Sequence, residues 1–327
     1  MVKKTTAPAG NKYFELVLFK IFFFFYILLF FSCDSEERTE KVIEQSFDLQ
    51  IENEKFTLEN EFFVANEDCN SISVSFIYDR GKDNPHFMFE LYITKKGVIR
   101  KISYTRFGES TNPFDTADFN PSGLMLIKNF EYDETKKYLH FEFNGELIEV
   151  ESNFASLDEP QKRKKIKGEV TVNKVIANPC DSFINDLSFE TDTFKFNTFR
   201  SFASYTPSLT NNPYQFIFNS ENGYRLYIKS NKDLWNLSKG TYAFEQNTVG
   251  NRIDIEQYIG IFRASQTLYV RSQDFKKYQT AGSYTIKEHL IINGLNVTKG
   301  EINMMVYDNG VLLHTINNGT FEVIGFN

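Results

Sequence analysis

From Phe47 onward, apolar side chains recur at every second position. Phe47, Leu49 and Ile51 alternate with polar neighbours, Ile72, Val74 and Phe76 alternate with Ser71, Ser73 and Ser75, and Phe87, Phe89, Leu91 and Ile93 continue the pattern. A period of two turns one face of a strand to a core and the other to water. Leu124 to Tyr132 and Tyr138 to Asn144 read as two further strands, with Leu139, Phe141 and Phe143 on one face. Asn144-Gly145, leading into Glu146 to Glu151, predicts a hairpin, because both residue types tolerate a positive φ. In the second half, Tyr214, Phe216 and Phe218 lead through Glu221-Asn222-Gly223 into Tyr224, Leu226 and Ile228. Glu301 to Tyr307 likewise leads through Asp308-Asn309-Gly310 into Val311 to Ile316, and a last strand, Thr320 to Phe326, follows Asn317-Asn318-Gly319. No stretch of this region has the period of a long amphipathic helix, so the expected class is all-β and antiparallel.

The second half repeats the first in outline. Leu49 and Ile51 match Leu187 and Phe189, Phe56-Thr57-Leu58 matches Phe194-Lys195-Phe196, and Val64-Ala65 matches Phe202-Ala203, all at an offset of 138. Phe89 to Ile93 matches Tyr224 to Ile228 at 135, and Lys167-Gly168-Glu169-Val170 matches Lys299-Gly300-Glu301-Ile302 at 132. Matches kept in order point to two copies of one β-domain. With a turn-like break at Asn178-Pro179-Cys180-Asp181, the expected layout is two related β-sandwich domains in tandem, residues 47–178 and 181–327.

The residues ahead of this region follow different rules. Lys3, Lys4, Lys12 and Lys20 precede an uncharged apolar run from Ile21 to Phe31, and Ser32 and Cys33 lead into the polar stretch Asp34-Ser35-Glu36-Glu37. The run suits a signal-peptide core and is short for a bilayer span. Ser32-Cys33 resembles the lipobox of bacterial lipoproteins, although bulky phenylalanines stand where that box normally has smaller residues. The acidic residues after the cysteine resemble the signal by which lipoproteins of the Bacteroidota reach the outer face of the outer membrane. The resemblance implies a signal peptide over 1–32, a lipidated tether over 33–46, and a surface-exposed protein held in the outer membrane through acylated Cys33. A transmembrane anchor or a plain cleaved signal is the alternative.

The C-terminal copy also resembles tandem β-sandwich lipoproteins of the Bacteroidota with no assigned activity. The likeness rests on G-x-Y-x-F at Gly240 to Phe244, K-G-E-I at Lys299 to Ile302, and N-G-T-F-E-V at Asn318 to Val323. It implies a fold and a location, and no catalytic residue.

Charge narrows the choice of partners. The full chain carries a formal −7, and loss of residues 1–32, with four Lys and one Glu, leaves −10. An acidic surface without clustered cations speaks against nucleic acid. The one dense basic run, Lys162-Arg163-Lys164-Lys165 with Lys167, reads as a solvated hairpin loop or as a contact for phosphates of the outer-membrane surface or an acidic glycan.

Candidate chemistry is sparse. His86, His140, His289 and His314 are scattered, no zinc or phosphate-loop motif is present, and no cofactor is expected. Asp115, Asp118 and Asn120 offer oxygen ligands without the spacing of a calcium loop. Asp115-Thr116-Ala117 also resembles the short sites at which exported Bacteroidota proteins are O-glycosylated. Cys69 and Cys180 form an even pair in an exported chain, either bonded or present as two buried thiols. The aromatics remain. Alternation leaves Arg225, Tyr227 and Lys229 on the outward face of their strand, an aromatic between two cations that could stack on a sugar or a partner side chain. Trp235 is either a core plug or a binding platform. These features favour a non-catalytic module that binds glycan or protein, with a structural envelope component or a hydrolase using paired carboxylates as alternatives.

Overall fold

The computed structural model describes residues 45–59, 63–79, 81, 86–108, 112–150, 161–179, 185–265 and 271–326. From Glu44 onward the chain forms one compact body containing two sheets. The first sheet comprises β1 (Ser46–Ile51), β2 (Glu54–Glu59), β3 (Val64–Glu67), β4 (Ser71–Tyr78), β5 (Phe87–Thr94), β6 (Ile99–Arg106), β7 (Phe114–Asp115), β8 (Met125–Asp133), β9 (Tyr138–Glu149), β10 (Arg163–Val172) and β11 (Ile176–Ala177). The second comprises β12 (Asp186–Glu190), β13 (Lys195–Tyr205), β14 (Tyr214–Ser220), β15 (Tyr224–Ser230), β16 (Gly240–Phe244), β17 (Arg252–Tyr258), β18 (Phe275–Ile292), β19 (Leu295–Asp308) and β20 (Val311–Ile324). The all-β expectation holds, and nearly every ladder is antiparallel.

The layers differ from a plain sandwich. In the first sheet the order runs β11-β3-β4-β5-β6-β7-β9-β10-β1-β2, with β8 on β9, which curls the sheet into a barrel left open between β2 and β3. In the second, β18 pairs with β17 through Tyr278 and neighbouring residues and with β19 from Gln279 onward. One strand of 18 residues thus turns the corner that a sandwich would break, and eight strands close into a barrel with β16 added outside.

Strand order is shared. The run β2-β1-β10-β9-β8 corresponds to β13-β12-β20-β19-β18, and β3-β4-β5-β6 corresponds to β13-β14-β15-β17. β13 therefore does the work of both β2 and β3: Lys195 to Asn197 pair with β12, and Thr198 to Tyr205 pair with β14. The K-G-E match does not follow this correspondence, because Gly168 lies on β10 whereas Gly300 lies on β19. Both glycines answer the same local need. A Cβ on Gly168 would meet the Phe143 ring at 2.5 Å, and one on Gly300 would meet the Phe321 ring at 2.3 Å, so each glycine lets a cross-strand phenylalanine lie flat over the backbone.

Of the five Asn-Gly pairs, three mark hairpins, among them Asn293-Gly294 between β18 and β19, and two do not. Asn309 and Gly310, at φ 50° and 83°, make the β19–β20 turn, and Gly223 closes the turn between β14 and β15. Asn144-Gly145 instead sits inside the continuous β9, where a Cβ on Gly145 would strike the Leu124 carbonyl oxygen at 2.0 Å. Asn318, at φ 57°, belongs to an irregularity within β20, beside a register shift between Ile302 and Met304.

Each sheet wraps its own core. Phe47, Phe76, Phe87, Phe89, Phe141 and Phe143 fill the first, with Phe47 edge-on to Phe76 at 5.2 Å and to Phe89 at 5.3 Å. Phe196, Phe216, Phe218, Tyr284 and Phe321 fill the second. A smaller seam joins them. Ala117, Ile148 and Val150 pack on Ala264, and Phe119 packs on Tyr258 and Phe275. The seam also carries paired backbone groups: Asp118 N–H donates to the Arg263 carbonyl at 2.8 Å, Ser122 N–H to the Glu221 carbonyl at 3.0 Å, and Gln161 exchanges two bonds of 2.9 Å with Ala264. Arg100 Nε donates to the Phe199 carbonyl at 3.0 Å, and Lys96 pairs with Asp186 at 2.6 Å.

Candidate functional site

A trough of about 460 Å³ lies on the outer face of the first barrel, crossing β2, β1, β10, β9 and β8. Strand register sorts its lining into two rows. Opposite residues on antiparallel strands point to the same face, so Thr57, Asp48, Glu169, Glu142 and Lys128 form one row across five strands. Lys55, Gln50, Lys167, Asn144 and Leu126 form the other, two residues away along each strand. All ten line the trough. Gly168 lies between the rows on β10, and the close Asp48 carbonyl, 2.7 Å from where its Cβ would be, draws β1 against it.

The electrostatics of the first row are unusual. Asp48, Glu169 and Glu142 are cross-strand neighbours, and like charges directly opposite one another destabilise a sheet. Only part of this is relieved: Thr57 Oγ1 donates to Asp48 at 2.6 Å and Asn129 Nδ2 to Glu142 at 2.6 Å. Among the described residues, Glu169, Lys55, Lys128 and Lys167 take no ion pair, and neither do Lys164 and Lys165 of β10, whereas Lys101, Lys162 and Arg163 do. The trough therefore presents three carboxylates and three ammonium groups, with the carboxylates side by side in one row that ends in Lys128, and Lys55 and Lys167 in the other.

The aromatic-and-cation strip behaves otherwise. Arg225, Tyr227 and Lys229 do face outward from the second barrel, yet Arg225 is 9 % exposed because Phe119, from the first half of the chain, covers it. Its Nε donates to Asn219 at 2.8 Å, and its Nη1 donates to Glu256 and to the Tyr227 hydroxyl, both at 3.2 Å. The Tyr227 hydroxyl donates to Glu256 at 2.7 Å, while Lys229 pairs with Asp254 at 2.7 Å and lies over the Tyr227 ring. Burial followed by the Glu256 charge pushes the Tyr227 hydroxyl up to about 12. The strip is a self-satisfied clamp at the seam, not an exposed platform.

Trp235 sits half-buried on a single turn, Leu234–Asn236, that closes the end of the second barrel. Leu234 is fully buried there, and the Trp235 ring stands edge-on to His289 at 5.0 Å. Cys69 is disulfide-bonded, while Cys180 and Cys33 lie outside the described residues.

The remaining candidates are structural. Thr116 and Ala117 are buried, so the Asp-Thr-Ala match is closed to modification in the folded chain. Asp115 pairs with Lys101 at 3.0 Å, Asp118 faces Arg200 at 3.9 Å, and no cluster of three or more His, Cys, Asp or Glu able to hold a metal occurs among the described residues. The basic run does not form a loop. It begins β10, where Lys162 pairs with Glu149, Arg163 with Glu146, and Lys164 lies over Phe114.

Sequence reading reached Lys167, with the basic run, and passed over the other polar residues of the trough as candidates. Alternation marks Asp48, Gln50, Lys167 and Glu169 as outward, but only register places them side by side. Gly168, inside an otherwise regular strand, is the single local signal that the backbone there is approached closely. No family model matches the chain, and neither a curated protein nor a solved structure is found similar to it.

Proposed function

We propose that this protein is a lipid-anchored component of the cell envelope, held at the outer membrane through Cys33 and exposed at the surface, where it binds a glycan or a protein without transforming it. The trough is its ligand face. What supports this is one arrangement: three carboxylates set directly opposite one another, with three lysines nearby that form no ion pair with them. Packing of the barrel does not call for that row, and a local rule broken without a structural gain marks a site. The N-terminal run and the Ser32-Cys33 pattern support the anchor.

Two experiments test the reading. Metabolic labelling with a fatty-acid analogue is expected to mark the native protein and not Cys33→Ala, and labelling that persists in the variant removes the anchor. Ligand screening of the native protein against Asp48→Asn/Glu142→Gln/Glu169→Gln is expected to give binding only to the former.

The same row favours a second reading. Directly opposite residues hold their Cβ atoms about 4.5–5.5 Å apart, so Asp48, Glu169 and Glu142 stand close enough for two of their carboxyl groups to flank one glycosidic bond, as paired carboxylates do in glycoside hydrolases. New reducing ends after incubation with an oligosaccharide would move the assignment to a hydrolase.

A further inference from the structure

Resting on the trough as the ligand face, we infer that its ligand is a neutral oligosaccharide lying across the strands.

Charge complementarity selects against the charged polymers. Three carboxylates and three ammonium groups cancel, so the trough has no net field to gather an anionic or a cationic chain. The apolar content selects against a protein partner. Protein interfaces are anchored by aromatic or aliphatic side chains seated in pockets, and Leu126, 52 % exposed, is the single outward apolar side chain of the lining. Addition of a peptide strand is also disfavoured in the middle of the trough, because the backbone groups of β1, β9 and β10 are already paired on both sides.

What remains is a ligand that donates and accepts at every position. A sugar hydroxyl gives its proton to one oxygen and takes a hydrogen bond from another group. Glu142 and Glu169 accept from one edge of the ring, and Asn144 and Lys167, two residues along the same strands, donate to the other. Those rows are about 7 Å apart, close to the breadth of a pyranose with its substituents, and adjacent strands stand about 4.8 Å apart, close to the advance of one sugar residue. Five strands thus offer places for about four sugars in sequence. With no aromatic face to stack on, recognition is by hydrogen bonding, and affinity is expected to be modest and to rise with chain length.

The test uses the full-length protein in a zwitterionic, sugar-free detergent, titrated calorimetrically with neutral hexasaccharides of glucose, mannose and galactose. A heparin-derived hexasaccharide and a random decapeptide pool are titrated alongside. The expected result is saturable binding of at least one neutral hexasaccharide, weakened about tenfold or more in Glu142→Gln/Glu169→Gln and in Lys128→Met/Lys167→Met. Binding is expected to stay unchanged in Lys287→Ala, which lies on the other barrel. Thermal melting confirms that each variant folds, and two chemically different variants guard against loss of structure in either one. Neutral-sugar binding indifferent to both trough variants overturns the assignment. Variant-sensitive binding of the acidic sugar or the peptides instead overturns the neutral-sugar class and leaves the binding-module reading standing. No binding by any probe overturns both.

Discussion

The guanidinium carbon of Arg225 lies 4.0 Å from the centroid of Phe275 and 4.8 Å from that of Phe119, so one cation sits in the corner formed by two edge-on rings, one from each half of the chain. Its partner Glu256 is equally buried, with 9 % of its side chain exposed. Removing one member of such a pair strands the other charge. Arg225→Ala is expected to lower unfolding stability by about 3–5 kcal/mol in urea titration, and Arg225→Ala/Glu256→Ala by less than the sum of the single changes. Additive losses would show that the two groups act independently.

Glu67 governs stability in acid. Burial alone would raise its carboxyl, but hydrogen bonds from Lys137 at 2.7 Å, Lys95 at 2.8 Å and the Tyr132 hydroxyl outweigh burial and hold it at about 2. A depressed carboxylate contributes stability above its unfolded value and loses it as pH falls through the folded one. The native protein is therefore expected to weaken between pH 4.5 and about 2, and Glu67→Gln to lose less stability over that window. Parallel pH–stability curves for the two proteins would count against it.

Asp118 acts in the opposite direction. Burial at the seam raises its carboxyl to about 7, against the pull of Arg200 and with help from Asp115. The folded chain then keeps a proton that the unfolded chain releases, so stability declines as pH rises from 3.8 to about 7 and levels off beyond. Asp118→Asn is expected to remove that decline, as followed by urea unfolding across the range.

Cys69 is disulfide-bonded, and the geometry around it favours Cys180 as partner. β11 runs parallel to β3, with Ile176 opposite Asn66 and Ala177 opposite Glu67, and Asn178 N–H donates to the Glu67 carbonyl at 2.9 Å, which carries the chain toward Cys69. Mapping of unreduced peptides is expected to recover a 69–180 linkage with no free thiol at either position. Closing a loop of this length contributes up to about 4.7 kcal/mol on the chain-entropy view. Two titratable thiols in the denatured, unreduced chain would exclude the bond.

Gly168→Ala tests how the trough is built. The new methyl group would meet the Phe143 ring at 2.5 Å and the Asp48 carbonyl at 2.7 Å, forcing β1 and β10 apart. A loss of about 1–3 kcal/mol is expected, together with weaker ligand binding by a protein that still melts cooperatively. Full binding would mean that the spacing of these strands does not shape the site.

Alternation alone revealed most of the strands, because a period of two is written in each segment separately. It placed Phe47, Phe89, Leu226 and Ile228 in the cores where they lie. Closure of the second barrel was not legible, since it depends on β18 pairing to two different neighbours along its length. Asn144-Gly145 misled for a related reason. The glycine admits the distant Leu124 carbonyl rather than a turn, and local sequence cannot distinguish the two uses. Arg225 was correctly read as outward, but the ring that buries it lies 106 positions earlier in the chain. The trough was hidden by the same kind of distance, because Asp48, Glu142 and Glu169 become neighbours only through register.

The opening of the first barrel leaves two strand edges that the closed barrel does not have. An unpaired edge is a template on which a second chain can add, and so a route to aggregation. Here the two edges are handled differently. β3 is covered by β11, the last strand before the chain enters the second half, so the connection itself blocks the template. β2 keeps its outer edge but carries Glu54, Lys55 and Glu59, charges that an incoming strand would have to bury. On this account, neutralising those three side chains would leave an edge on which copies of the chain could add one to another.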